Sequence, residues 1–166
     1  IQRASEFAHG KLRFQTHDMR EVLENEKFDV IFNLFTSFGY FDDESENKRM
    51  CDSISQMLVP GGRLLIDFMN ATKVIQNLVL TETKIIDGIT FQISRNYDGQ
   101  HIYKHIEVTE GTHVSHYMER VQALKISDFR SLLETHFEII HTFGSYDLTP
   151  FEEGSSDRLI LLTRLK

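Results

Sequence analysis

From Phe28 to Phe35 the chain is almost continuously apolar, and from Arg63 to Met69 it is so again. Such runs mark strands covered on both faces, as in parallel sheets. Between them, residues 44–58 read as a helix. Met50, Ile54, Met57 and Leu58 fall at helical spacing behind an acidic start of Asp42, Asp43, Glu44 and Glu46, which complements the helix dipole. Pro60-Gly61-Gly62 ends that helix. The pattern predicts a strand–helix–strand unit with a loop, Thr36–Phe41, at the carboxyl end of its first strand. In open α/β sheets that is where ligands sit.

Ahead of this unit, Ile1–Ala8 reads as the tail of a helix stopped by His9-Gly10. Leu12–Thr16 alternates as a short strand would, and Met19–Glu24 suits a helical turn. Beyond the unit the period changes. Thr83–Asp87, Ile89–Tyr97, His101–Thr109 and His113–Val121 are strand-like and are separated by Asp87-Gly88, Asp98-Gly99 and Glu110-Gly111. Asp-Gly between alternating segments is a hairpin signal, so residues 80–122 are expected to form an antiparallel meander of three or four strands. Ser127-Asp128 offers a helix start, with Phe129, Leu132, Leu133 and Phe137 on one face. Phe137–Phe143 and Leu159–Leu165 follow as strands around the loop Gly144–Ser156. Joined without a helix, these two should be antiparallel neighbours.

With 40% apolar and 26% charged residues, the 166-residue chain reads as one globular domain, residues 1–166. A formal charge of −7 argues against a nucleic-acid groove and for a small-molecule partner, since phosphate binding needs clustered Lys and Arg. The single cysteine, Cys51, rules out an internal disulfide and fits a reducing cytoplasm. Its place in the first long helix suits a small buried apolar residue. No apolar run approaches the ~20 residues needed to span a membrane. Ile1 is not a natural start residue, so an amino-terminal truncation is expected. Eight histidines raise a metal question. His101 and His105 share a strand face but lie roughly 13 Å apart, too far for one ion at Zn–N distances near ~2 Å. His113 and His116 point to opposite faces, which leaves only cross-strand pairing of His101 or His105 with either of them. No metal is expected.

Three stretches resemble class I S-adenosylmethionine-dependent methyltransferases, over residues 12–70 and 125–165. The first is Phe14-Gln-Thr-His-Asp18-Met19. The resemblance implies that Asp18 accepts a hydrogen bond from adenine N6 and that Met19 contacts the cofactor through its backbone. Equally, Asp18 suits a residue that caps the following turn. The second is Phe28-Asp-Val-Ile-Phe-Asn33-Leu34-Phe35, similar to the family's fourth strand, whose end lies beside the methionine part of the cofactor. Asn33, Leu34 and Phe35 map there. Thr36-Ser-Phe-Gly-Tyr-Phe41 looks like the active-site loop of small-molecule N- and O-methyltransferases. Aromatic faces attract a sulfonium cation by ~0.5–2 kcal/mol, yet core packing is the better reading for at least two of Phe35, Phe38 and Phe41. Phe38, Tyr40 and Asn70 are the candidate substrate contacts, with Tyr40 first because its hydroxyl needs a partner. The third stretch, Leu58-Val-Pro-Gly-Gly-Arg-Leu-Leu-Ile-Asp67, resembles the family's helix-to-strand turn and is structural.

The fold implied is α/β: a Rossmann-like methyltransferase sheet, mostly parallel with an antiparallel last strand, truncated at its amino terminus and carrying the meander as an insertion. The cofactor implied is S-adenosylmethionine, and the partner a small-molecule N or O acceptor, with a homodimer possible. His17 and His141 are candidate bases, and neither sits at a compelling motif position. Tyr103, Tyr117 and Tyr146 could line a substrate cover, but ordinary sheet surface is the better reading for each. The chain departs from the family in one large respect. It contains no Gly-x-Gly turn and no acidic residue for the ribose hydroxyls. Two strands of the family's order would fall between Leu12–Thr16 and Phe28–Phe35, a gap of about 14 Å at ~4.8 Å per strand. Activity is therefore expected only with a cofactor half absent from these residues. The competing expectation is a non-catalytic dimerisation or scaffold module of the same fold.

Overall fold

The computed structural model describes residues 1–166. Its elements in chain order are α1 (Gln2–Ser5), β1 (Phe28–Asn33), α2 (Glu44–Met57), β2 (Leu58–Met69), α3 (Ala71–Gln76), β3 (Thr81–Ile86), β4 (Ile89–Tyr97), β5 (His101–Glu110), β6 (His113–Gln122), α4 (Ile126–Leu133), β7 (Phe137–Phe143) and β8 (Arg158–Leu165). They build two four-stranded sheets, ordered β1-β2-β8-β7 and β3-β4-β5-β6. In the first, β1 and β2 are parallel, and β8 runs antiparallel to both β2 and β7. Three strands thus point one way and the last strand of the chain points back.

Helix α2 forms where the sequence places it. Asp43 caps its first turn by accepting from the Glu46 N–H at 3.1 Å. Asn47, Met50, Cys51, Ile54 and Met57 form its buried stripe. The chain turns straight from Met57 into β2, and Gly62 is where it brushes β1. A Cβ there would meet Val59 O at 2.8 Å and Asp29 O at 3.2 Å. Helix α4 begins at Ile126, with Asp128 accepting from the Lys125 N–H at 2.7 Å. Both helices lie on the side of the sheet shared by Leu64, Ile66, Phe68, Leu159 and Leu161, and the core sits between. At its centre Phe129 meets Phe38 and Phe68 edge-on, each at 5.2 Å between ring centroids.

Two expectations fail here. Leu12–Thr16 is not a strand. It has one isolated bridge, Leu12 to His9, because no neighbouring strand offers it a ladder. And β1 is not covered on both faces. Ile31 and Asn33 face the helices, whereas Val30 and Phe32 look out from the opposite face, Phe32 being 61% exposed. The apolar run reports a two-faced strand, but α2 and α4 form a layer on one side only. The outer edge of β1 is likewise unpaired. Helix α3 was not anticipated. It is a short helix directly after Asn70.

The second sheet follows the hairpin signals. Asp87 and Gly88 both take positive φ, 51° and 81°, between the paired residues Ile86 and Ile89. That is the backbone a two-residue hairpin requires. At the next turn Asp98 accepts from the backbone N–H groups of Gln100 and His101 (2.8 and 2.7 Å) and from the Tyr103 hydroxyl (2.9 Å). These bonds, led by the His101 N–H, hold its carboxyl down at about 2.

Two outcomes are expected. Phe129→Ala should lower stability by about 3–5 kcal/mol in chemical denaturation, the usual cost of truncating a buried Phe. The Asp98 carboxyl carries a folded pKa below its unfolded value. Its stabilising effect should be complete above the ordinary carboxylate range near ~4 and be lost as pH falls through about 2. An NMR titration that finds Asp98 at an ordinary carboxylate value would show that the turn is not held this way.

Candidate functional site

At the carboxyl end of β1 the backbone does something costly. Phe35 and Thr36 both adopt left-handed φ, 57° and 62°, a conformation that bulky and β-branched residues rarely take. Backbone bonds hold the turn. The Phe35 N–H donates to Asp67 Oδ2 and the Thr36 N–H to Asp67 O, each at 3.0 Å, while Ser37 Oγ donates to Leu34 O at 2.7 Å. Asp67 is 2% exposed. It also accepts from Arg158 Nε at 2.8 Å on Oδ1 and from the Tyr146 hydroxyl at 3.1 Å on Oδ2. Arg158 Nη2 reaches on to Thr36 Oγ1 at 3.2 Å. Asp67, Arg158 and this use of Tyr146 escaped the sequence reading. The available signal was a carboxylate inside an otherwise apolar strand, two residues before its end.

Past Thr36 the loop dives and returns. Phe38 is wholly buried against Phe129, which corrects its reading as a substrate contact. Gly39 (φ 84°) turns the chain back where a Cβ would meet the Phe68 ring and the Gln122 carbonyl at 3.4 Å, and its own carbonyl accepts from the Gln122 N–H at 2.8 Å. Tyr40 then emerges, 50% exposed. Burial, and secondarily the charge of Glu119, push its phenol above the usual value, so it stays protonated at neutral pH.

The structure brings most of the sequence-derived residues to one rim. Asn33, Leu34, Phe35 and Tyr40 surround the start and end of the loop, and Phe35 is 78% exposed. Met19 comes to β1 from far along the chain, with its sulfur 3.5 Å from Asn33 Nδ2. Asn33 is buried, and its Oδ1 has no partner. Next to Met19, Asp18 accepts from the Arg20 N–H at 2.9 Å and from Arg20 Nε and Nη2 at 3.0 and 2.6 Å. Hydrogen bonds from Arg20 hold the Asp18 carboxyl well below the usual carboxylate range. Arg20 also pairs with Glu46, and its guanidinium lies 4.9 Å over the Phe41 ring. Asp42 pairs with Arg120, so residues 18–20, α2, the loop and β6 are tied into one polar chain.

Other candidates land elsewhere. Asn70 is buried and gives both amide hydrogens away, to Glu153 O and Ser156 O at 2.8 Å each, which makes it a tie for the loop before β8 and not a substrate contact. His17 has its Nε2 2.7 Å from Glu21 O, a bond in which the ring N–H donates. His141 stands on β7, the edge strand farthest from β1, too distant to act as a base at the rim. The meander register pairs His101 with Gln122 and His105 with Met118, so the cross-strand histidine pairs do not form.

Two cavities lie apart from the rim, and neither Phe35 nor Tyr40 lines them. One of about 740 Å³ separates the amino-terminal ends of α2 and α4 from the β4–β5 turn. On its walls Asn47 donates to Gln122 Oε1 at 2.5 Å, while Asn47 Oδ1 and His101 Nε2 are buried without partners. The other, about 510 Å³, lies on the second sheet between polar and apolar residues of β3, β4, β5 and β6.

No family model matches the chain, and no curated protein matches it either. Solved structures do. An S-adenosylmethionine-dependent methyltransferase from Clostridium acetobutylicum superposes with a TM-score of 0.80 at 21% identity, over 92% of this chain and 64% of that one. The CcbJ methyltransferase of Streptomyces caelestis gives 0.78 at 15% identity, over 90% and 62%. The sugar N-methyltransferase KedS8 of Streptoalloteichus gives 0.66 at 18%, over 89% and 60%. The chain therefore spans about three-fifths of the length of the structures it matches. At these identities the likeness is one of architecture: the chain has the Rossmann-like fold of the class I S-adenosylmethionine-dependent methyltransferases.

Proposed function

We propose that this chain forms the acceptor-side part of an enzyme that moves a methyl group from S-adenosylmethionine to a nitrogen or oxygen of a small molecule. The observation that carries this reading is the rim at the end of β1, where a sheet of methyltransferase order presents Leu34, Phe35 and Tyr40 around a strained loop, with Asn33 buried at its base. The donor fits the residues present. Asn33 Oδ1 is an unused acceptor beside Met19, suited to an ammonium or hydroxyl of the methionine part, and the open face of Phe35 suits a sulfonium. Asp18 is an oriented anion one residue from Met19, placed for an adenine amino group. When bound, the sulfonium supplies a methyl group on a good leaving group.

The chain's own work is then alignment and exclusion of water. Holding reactants in line is worth ~7–11 kcal/mol by proximity alone, and no nucleophilic side chain is required. Tyr40, protonated and half exposed, donates a hydrogen bond that orients the acceptor. The polar 740 Å³ cavity that begins at Asp42, two residues on along the chain, has two unpartnered buried polar atoms and favours a hydroxyl- or amine-bearing acceptor. A cofactor half with a glycine-rich turn pairs along the free edge of β1 and covers Val30 and Phe32. That edge and face also favour a second reading, a non-catalytic module that dimerises there.

Calorimetric titration of the full polypeptide with S-adenosylhomocysteine separates the two. The enzyme gives saturable binding at one site per chain, while a concentration-dependent dimer with no binding supports the module. In the enzyme, Tyr40→Phe should lower acceptor turnover about tenfold, the worth of one hydrogen bond, and leave cofactor affinity unchanged. Equal kinetics for the variant in an assay varying both ligands would remove Tyr40 from the acceptor site.

A further inference from the structure

We propose that Asp67, acting with Arg158 and Tyr146, is a positioning residue for methyl transfer: it clamps the left-handed Phe35–Thr36 turn so that the rim keeps one shape. This rests on the methyltransferase reading of that rim. Left-handed φ at two successive side-chain-bearing residues persists only where the surroundings over-determine it. Burial does not do so here, since the Phe35 ring is 78% exposed and gains little packing from the turn. Both backbone N–H groups of the two left-handed residues are bound by a single residue of β2. Its main-chain oxygen takes the Thr36 N–H and its carboxylate takes the Phe35 N–H.

The carboxylate is itself fixed from two further segments. Arg158, the first residue of β8, reaches back to Oδ1 through Nε at 2.8 Å and Nη2 at 2.7 Å, and touches Thr36 Oγ1. Tyr146, from the loop before β8, donates to Oδ2 and lies with its ring 5.9 Å from the guanidinium carbon. A buried ion pair is a poor source of stability. An apolar residue of similar volume on a buried strand often does as well or better. Its yield here is geometric. It joins three chain segments at one carboxylate and presents two exposed aromatic rings, Phe35 and Tyr146, from the same anchor. Misplacing reacting groups by ~1 Å can cost ~10²-fold in rate, so a clamp of this kind acts on turnover.

The test uses the full polypeptide and three variants, Asp67→Asn, Arg158→Lys and Tyr146→Phe, with two readouts. Hydrogen exchange at the Phe35 amide should rise about tenfold in Asp67→Asn, as a local opening, while the Leu64 and Ile66 amides inside the ladder stay protected. Turnover should fall by about 10²-fold, with KM for both substrates within about twofold. Arg158→Lys, which keeps the charge but loses the fork, should lie between wild type and Asp67→Asn on both measures. Tyr146→Phe removes the one hydroxyl that donates to Asp67 and should shift both in the same direction by less. If Asp67→Asn does not fold, the other two variants decide. Unchanged exchange at Phe35 in the folded variants overturns the clamp. Faster exchange with unchanged turnover, or a loss confined to KM, overturns the positioning role. A wild-type protein that neither binds S-adenosylhomocysteine nor transfers methyl groups overturns the functional reading and the positioning role with it, and the exchange data then still decide whether the clamp exists.

Discussion

The rim at the end of β1 exists because Phe38 is buried. Its ring meets Phe129 edge-on, and Phe129 meets Phe68 the same way, so loop, helix α4 and strand β2 share one aromatic contact. Fully burying a Phe is worth about 1.5–3 kcal/mol relative to exposure, and Phe38 is the one wholly buried aromatic of the loop, with Phe41 only partly buried against the core. With the middle of the loop nailed into the core, its two ends are forced outward. Phe35 is displayed on one side and Tyr40 on the other. Gly39 is part of the same constraint, because the chain must reverse there at positive φ beside Phe68 and Gln122.

Two sets of polar contacts then refine what the aromatic anchor starts. On the Phe35 side, Asp67 links the loop to β8 and to the segment before it. On the Tyr40 side, Asp42 pairs with Arg120 and, through Glu46, connects to Arg20 and Asp18. The outer pairs are solvent-facing and contribute little each. Their value lies in connecting the second sheet and the Asp18–Arg20 turn to the same loop. The second sheet reaches the loop chiefly through the end of β6, where the Gln122 N–H, the Gln122 side chain and Arg120 all engage residues 39–47.

Against this ordered end stands an unfinished one. Val30 and Phe32 are exposed on the face away from the helices, and the β1 ladder is open. A strand edge with apolar side chains is a template for pairing. That face and edge are where the two functional readings diverge, since a cofactor-binding partner and a second copy would both use them.

The sequence by itself determined most of the elements with a long period or a specific turn. Helix α2, the body of strand β2, the antiparallel meander with its Asp-Gly and Glu-Gly turns, and the antiparallel pair β7 and β8 could all be read because the causes are local: helical spacing, an acidic helix start, alternation, positive φ at Asp87-Gly88. It also marked Asn33, Leu34, Phe35 and Tyr40 as one stretch of chain. Only the tertiary structure decided which aromatic of that stretch is core and which is displayed, because Phe35 and Phe38 are chemically the same and differ only in what packs against them. It decided that Leu12–Thr16 has no ladder, that β1 is bare on one face, and that Asn70 is spent on a loop, since each depends on neighbours distant in sequence. And it alone brought Asp67, Tyr146 and Arg158 together across some ninety residues, because a buried charge finds its partners by where strands lie, not by spacing along the chain.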